Sequence, residues 1–221
     1  MDADPSLASA LYSALRRIKI PDLMKLDSFQ FTVDADTGKR TYLKRRSNLV
    51  ESGKPLHSCV FGLTCSPAWK WDVRPTKLAR EHPDVDNLLH EYARVHFPDF
   101  RYTTITINRN LQCRRHVDTL NNGPSVLTSV GDFTGGELNI ETEDGRQHTF
   151  DTKGRFVMYE GARWPHWNNP ICGEKFSIVY YKDARVLGHV RGRFKDDSRF
   201  SSLQDMRIVS DLMEKPILLQ G

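Results

Sequence analysis

The chain has 221 residues, of which 38% are hydrophobic and 27% are charged, and its formal net charge is +4 at pH 7. This composition is typical of a soluble globular protein of one moderate domain. No run of about 18 apolar residues occurs, so we expect no membrane span, and the mild positive charge permits a polyanionic partner without requiring one.

The N-terminal residues and the cysteines bear on the cellular compartment. The first residues, MDADP, form neither a basic n-region nor an apolar h-region, so we expect no secretory signal. Cys59, Cys65, Cys113 and Cys172 show no CxxC spacing, which argues against a zinc ribbon and against a disulfide framework. We therefore expect reduced thiols and an intracellular location, cytoplasmic or nuclear.

The N-terminal part of the chain predicts two helices and a hairpin. Apolar residues at helical spacing indicate a helix over 6–18, with Ser6 as its cap, and Pro21 follows it. Residues 29–47 have the pattern of a β-hairpin that turns at 36–38. A second helix is expected from about Thr76 to Phe97, which Pro83 either starts or splits.

From Arg101 onward the pattern is one of short β-strands. Alternating or β-branched segments recur between glycine, proline and asparagine turns, over 102–108, 125–130, 137–141, 148–151, 155–159 and 175–182. Many short strands at regular spacing indicate a sandwich or barrel. The predicted fold class is therefore mainly β, with flanking helices.

The motif His116-Val117-Asp118 is the first candidate site. Residues i and i+2 of a strand point to the same face, so His116 and Asp118 can aim at one point while Val117 turns into the packing. His166 offers a third ligand, and two histidines with one carboxylate suit non-haem Fe(II). His148 is a rival that we expect to be solvated at a hairpin tip, and a surface ion pair is the alternative reading of His116 and Asp118.

A second candidate lies on the strand that follows His166. Lys175 and Ser177 share one face, where a cation and a hydroxyl could hold the distal carboxylate of a dicarboxylate ligand. The alternative is that Lys175 is a surface residue, in which case Arg163 is the nearest other cation. Trp164 and Trp167 flank His166 and either stack on a flipped base or pack around the site.

Taken together, these residues resemble the motif of the 2-oxoglutarate/Fe(II) dioxygenase superfamily. Its pattern of His-x-Asp, a distal His and then Arg or Lys with Ser or Thr two residues on maps onto His116, Asp118, His166, Lys175 and Ser177. The segment GDFTGGEL at 131–138 is similar to a Gly-Gly-Glu-Leu turn of that superfamily. The resemblance covers about residues 99–183, and the segment NNGPS at 121–125 is most like the TET/JBP-type branch, which oxidises methyl-bearing pyrimidines in nucleic acids.

The resemblance implies a double-stranded β-helix (jelly-roll, cupin-like) core over 99–185. Residues 1–98 would form a helical and hairpin extension packed on it, and 186–221 a C-terminal tail. The cofactors implied are Fe(II), the co-substrate 2-oxoglutarate and O2. The metal ligands would be His116, Asp118 and His166, with Lys175 and Ser177 binding 2-oxoglutarate, and the further lining residues would be Asn108, Tyr102 and Asn122.

The activity implied is hydroxylation of a substrate C–H bond, with a 5-methylpyrimidine in DNA as the first substrate class. A protein side-chain hydroxylase of prolyl type is an alternative, which Lys175 and the Gly-Gly-Glu-Leu turn favour. A β-helix that binds metal or ligand without turnover is another. Nucleic acid is a candidate partner, and the hairpin carries basic residues that would contact its backbone, serve as a nuclear address or simply be solvated: Lys39, Arg40, Lys44, Arg45 and Arg46.

Overall fold

A computed structural model describes residues 3–24, 30–33, 40–43, 49–51, 54–67, 70–189 and 217–218. For 30–33, 40–43 and 217–218 it describes the backbone. The basic residues Lys39 and Lys44 to Arg46 lie outside the described residues, as does the turn expected at 36–38.

Four helices and twelve strands occur in the described part of the chain. The helices are α1 Pro5–Arg17, α2 Lys77–Glu81, α3 Pro83–His96 and α4 Ala184–His189. The first six strands are β1 Gln30–Val33, β2 Arg40–Leu43, β3 Ser58–Thr64, β4 Arg74–Pro75, β5 Thr104–Arg109 and β6 Ser125–Gly135. The other six are β7 Leu138–Glu141, β8 Gln147–Phe150, β9 Val157–Tyr159, β10 His166–Asn168, β11 Ile171–Tyr181 and β12 Ile217–Leu218.

The helix starts follow from side-chain and proline chemistry. The expectation that Ser6 caps α1 is wrong: Asp4 is the N-cap, and its Oδ1 accepts the Leu7 N–H at 2.9 Å. Pro5 takes the first helical position, where its missing N–H costs nothing. Pro83 likewise starts α3, so the expected second helix is two helices, with His82 between them.

The strands form two antiparallel sheets wound as a jelly roll. The larger sheet has the order β12-β9-β6-β11-β5-β3-β4 and the smaller one β10-β7-β8, beside a separate β1-β2 pair that agrees with the predicted hairpin. The core pairs are β5 with β11, an isolated bridge at His116 with β10, β6 with β9, and β7 with β8. These four pairs are nested along the chain: the first segment pairs with the last, the second with the second-last, and so on inward, as in a double-stranded β-helix. The predicted fold class is confirmed.

Strand alternation places two different environments on the two faces of the larger sheet. Phe176, Ile178 and Tyr180 of β11 pack with residues of α1 and α3 in the main core. Val179 and Tyr181, on the other face of β11, pack towards the smaller sheet. The helices therefore cover one face, and the space between the sheets is left for a second core and a cavity.

Two strands of the larger sheet, β3 and the short β4, lie in the region expected to hold only helices and a hairpin. β3 pairs with β5 from Ser58 opposite Asn108 to Gly62 opposite Thr104. Its residues Cys59, Phe61 and Leu63 are buried at period 2, a signal that the sequence contains. The region before residue 99 thus supplies part of the main sheet, while the division into three domains stays a prediction.

The cysteines and the helices of the described residues bear on the expected thiols and on the expected lack of a membrane span. All four cysteines are free thiols, as their spacing indicates. Among the described helices, none combines the length and the apolarity that a membrane crossing requires.

The close contact between β6 and β11 gives a stability prediction. Gly131 has a φ of 136°, and a Cβ there would lie 2.1 Å from the Glu174 carbonyl oxygen. Gly131→Ala should lower the free energy of unfolding by about 3 kcal/mol, because β11 must move away. Gly145→Ala is the matched control: its φ is also positive, at 77°, but a Cβ would enter open space, so it should cost only about 1 kcal/mol. Equal losses in urea denaturation would contradict this account.

Candidate metal centre

His116, Asp118 and His166 converge on one point. Each offers one ligand atom, and the three atoms all lie within 4.8 Å of one another. The two oxygens of Asp118 face different histidines, at 3.8 Å from His116 Nε2 and 3.6 Å from His166 Nε2. The side chain of Asp118 is 22% exposed and that of His166 is 5% exposed. The cluster therefore lies below the surface and is still reachable from one side.

Backbone carbonyls orient both imidazole rings. His116 Nδ1 lies 2.7 Å from the Arg114 carbonyl oxygen, and His166 Nδ1 lies 3.0 Å from that of Trp164. A carbonyl oxygen can only accept, so each Nδ1 carries a proton, and the lone pair of each neutral ring is then the one on Nε2, which faces the cluster. Two neutral imidazole nitrogens and a carboxylate oxygen are a donor set that fits a divalent transition metal with open positions.

The segment that carries His116 and Asp118 is not the regular strand that the sequence predicts. It makes an isolated bridge, in which the N–H of His116 and the carbonyl of His166 are 3.0 Å apart and the reverse pair 2.9 Å. The N–H of Asp118 donates to the Gly161 carbonyl at 2.8 Å. Val117 is 37% exposed instead of packed, because the segment lies at the edge of the smaller sheet.

The metal cluster opens on a cavity between the two sheets, and Lys175 lies inside it. The lysine is 2% exposed and its Nζ donates to the Gly136 carbonyl, so the alternative of a surface lysine is wrong. Burial lowers the pKa of Lys175 to about 8. An ammonium withdrawn from water in this way favours the arrival of an anion.

The Gly135-Gly136 turn makes room for that ammonium. Gly136 has a φ of 70°, and a Cβ on it would lie 3.0 Å from Lys175 Nζ. The ring of Phe133, on the preceding strand, lies 5.2 Å from the same nitrogen and gives it a cation–π contact. Gly136 is thus the glycine that this lysine requires, whereas at Gly135 a Cβ would lie 2.4 Å from the Pro170 carbonyl oxygen.

The remaining candidate lining residues fall in two groups. Asn108 of β5 and Ser177 of β11 line the cavity. Tyr102 does not: the chain bends at Thr103, and the Tyr102 hydroxyl pairs with His90 Nδ1 at 2.7 Å on the helix side of the sheet. Asn122 is exposed; the cavity is lined instead by its neighbour Asn121, whose Nδ2 lies 3.5 Å from Asp118 Oδ2.

Sequence reasoning did not single out Tyr159, Asn168, Cys113, Thr106 or Tyr181, all of which line the cavity. The Tyr159 ring centroid is 5.0 Å from that of His166, and burial raises the pKa of its phenol well above the usual value. Thr106 and Tyr181 are joined by a 3.3 Å hydrogen bond between their hydroxyls. The sequence could have indicated Thr106, because it lies two residues before Asn108 on β5 and therefore faces the same side of the sheet.

The rival candidates lie outside the cluster. His148 is half-buried in β8 opposite Ile140, so its expected solvated position is wrong, and its Nε2 is buried. Arg163 is exposed and pairs with Glu143. Trp164 is 3% exposed and packs between the sheets, as the packing alternative has it, whereas Trp167 is half-buried and lines the cavity.

Comparison with known proteins gives structural likenesses at low identity. No protein-family model matches the sequence, and no curated protein matches it significantly. An oxidoreductase of the 2OG-Fe(II) oxygenase family from Burkholderia pseudomallei is 14% identical, with a TM-score of 0.47 over 80% of this chain and 76% of that one. A Trichoplax adhaerens prolyl hydroxylase bound to a hypoxia inducible factor peptide fragment is 13% identical, with a TM-score of 0.42 over 84% and 83%.

NgTET1 in complex with 5mC DNA is 15% identical, with a TM-score of 0.45 over 58% of this chain. The chain spans 61% of the length of that NgTET1 chain. Likenesses at this level do not assign an activity, which has to be argued from the side chains of the site itself.

The cluster predicts metal binding that depends on each ligand. His116→Ala should weaken Co(II) binding by at least about a hundredfold, because it removes a ligand rather than an outer contact. The control His148→Ala removes a nearby histidine of the same sheet and should change the affinity by no more than about twofold. The measurement is a Co(II) titration followed by visible absorption. Equal affinity of both variants would rule out the cluster as the metal site.

Proposed function

We propose that this chain is an Fe(II)-dependent dioxygenase that uses 2-oxoglutarate and O2 to hydroxylate a C–H bond. The observation that carries the proposal is the combination of a His-Asp-His cluster with a buried lysine in one cavity. Either feature alone fits many proteins. A metal donor set and a buried cation in the same cavity suit a ligand that chelates at one end and carries a carboxylate at the other.

The residues of the chain have separate tasks in this proposal. His116, Asp118 and His166 hold the iron, which supplies the oxidising chemistry together with O2 and 2-oxoglutarate. Lys175 pairs with the distal carboxylate of 2-oxoglutarate, and Ser177, on the same face of β11, adds a hydrogen bond. Asn108 and Asn121 border the remaining space of the cavity.

A non-catalytic β-helix that binds a metal alone accounts less well for Lys175. Its side-chain hydrogen bond in the described residues goes to a neutral carbonyl, that of Gly136. A buried ammonium without a tightly bound carboxylate is costly, on the order of several kcal/mol even after the protein and solvent relax. A site that admits a dicarboxylate removes that cost whenever the ligand is bound.

For the substrate, we propose a nucleobase, with a 5-methylpyrimidine in DNA as the first candidate. The support is the resemblance of residues 121–125 to the TET/JBP-type branch, the net charge of +4, and the half-buried Trp167 at the cavity, which offers a stacking surface. A protein side-chain hydroxylase of prolyl type is the second candidate. Lys175 favours it, because a lysine at this position is more like the prolyl hydroxylases.

The lysine gives a pH-dependent prediction for co-substrate binding. The 2-oxoglutarate dianion pairs with the ammonium form, so with a Lys175 pKa of about 8 its affinity should be nearly constant up to about pH 7, be about halved at pH 8 and approach a tenfold fall per unit above that. Lys175→Arg should abolish that fall, since guanidinium stays charged, and Lys175→Met should lose about a hundredfold at pH 7. Anaerobic calorimetry with Mn(II) measures this. Parallel pH profiles for wild type and Lys175→Arg would exclude Lys175 as the carboxylate partner.

Mass spectrometry of candidate substrates tests the activity and the substrate class together. Wild-type protein is incubated with Fe(II), 2-oxoglutarate and separate DNA, RNA and peptide pools. We expect a gain of about 16 Da on methylated DNA and equimolar succinate, because one oxygen atom enters each product. His116→Ala should give neither. A gain on peptides alone would favour the side-chain hydroxylase, and Fe-independent products would contradict the proposed chemistry.

A further inference from the structure

The segment that carries two of the three metal ligands has few backbone partners. Between Leu111 and Asp118 it makes one isolated bridge, to His166, and belongs to no strand. A metal site needs its ligands held to within a fraction of an ångström. Contacts outside regular sheet pairing must therefore position this segment.

The side chain of Asn168 makes one of those contacts. Its Oδ1 accepts the N–H of Cys113 at 2.7 Å, and its Nδ2 donates to the carbonyl of Asn169 at 2.9 Å. A backbone N–H can only donate and a backbone carbonyl can only accept, so both contacts require the same orientation of the amide. Asn168 thus replaces the ladder hydrogen bond that a neighbouring strand would have provided.

The location of Asn168 ties this contact to the ligands. It lies two residues after His166 on β10, and both residues line the cavity. His166 bridges the backbone of His116, and Asn168 binds the backbone three residues earlier, at Cys113. Two neighbouring points on β10 therefore hold the segment from one side. The N–H groups of Arg114 and Asp118 add backbone hydrogen bonds elsewhere, to the carbonyls of Leu49 at 2.7 Å and Gly161 at 2.8 Å.

Further amide contacts hold the neighbourhood of Asn168 on the smaller sheet. Asn169 accepts at its Oδ1 from Asn139 Nδ2 at 2.9 Å and donates from its Nδ2 to Glu137 at 3.0 Å. Asn139 accepts in turn from the Thr149 hydroxyl at 2.8 Å. The chain of hydrogen bonds extends from β8 through β7 to β10, and Asn168 is the member that reaches the metal segment.

We propose that Asn168 is a positioning residue of the metal centre, which docks the segment at Cys113 so that His116 and Asp118 meet His166. It acts through the backbone and is not itself a metal ligand. This inference rests on the proposed metal site and adds to it a residue outside the ligand set. Its loss should weaken metal binding while the jelly roll stays folded, because the main sheet does not involve Asn168.

The test compares three variants by Co(II) titration with visible absorption, and by amide hydrogen exchange at Cys113 in the metal-free protein. Asn168→Ala should raise the Kd for Co(II) about 10- to 100-fold, as outer contacts of metal sites do, and should speed exchange at Cys113. Asn168→Asp keeps the oxygen that accepts from Cys113 but sets an acceptor against the Asn169 carbonyl, so it should lie between wild type and Asn168→Ala in both measurements. Thr149→Val removes the hydrogen bond from the Thr149 hydroxyl to Asn139, at the end of the amide network farthest from Cys113, and should change Kd by no more than about twofold.

The outcomes separate this inference from the proposed function. If wild-type protein does not bind Co(II), the metal centre itself fails. If wild type binds and Asn168→Ala binds as tightly, or if Thr149→Val loses as much as Asn168→Ala, the positioning role alone is overturned. If Asn168→Ala does not fold, Asn168→Asp decides: a rise in Kd without faster exchange at Cys113, or faster exchange without a rise in Kd, contradicts the role.

Discussion

The two-sided character of β11 is the constraint on which the rest of the molecule depends. It is the central strand of the larger sheet, paired along most of its length with β6 on one side and β5 on the other. Phe176, Ile178 and Tyr180 hold the helices on one face, while Lys175 and Ser177 face the cavity on the other. Because parity links the faces, a shift of one residue would bury the wrong set and destroy core and site together.

The candidate metal ligands depend on a weaker arrangement. The smaller sheet has three short strands, and the segment with His116 and Asp118 joins it through a single bridge and side-chain contacts. The Asn168 side chain and the backbone hydrogen bonds of Arg114 with Leu49 and of Asp118 with Gly161 there replace what continuous pairing does in the larger sheet. The site is thus built from one rigid wall and one wall held by individual hydrogen bonds.

The accuracy of the sequence predictions follows this difference. Lys175 and Ser177 lie where parity places them, because β11 is long and regular. The prediction that Tyr102 lines the cavity fails because the chain bends at Thr103, before β5 begins. The prediction for Asn122 fails because a turn at 119–120 separates it from Asp118, so strand parity no longer applies. The contact of Asn168 with Cys113 joins positions 55 apart in sequence, and it was not predictable without the order of the strands.

The His-Asp-His cluster lies on the side of the smaller sheet and Lys175 lies on the larger one, and this has a mechanical consequence. A dicarboxylate that binds a metal at the cluster with one end and the Lys175 ammonium with the other would span the gap between the two sheets. Its length would then have to match the spacing of the sheets. A shorter diacid would have to compress the core around Leu127 and Val179, and a longer one would have to open it. Selection among such acids would be decided by packing between the sheets as much as by charge.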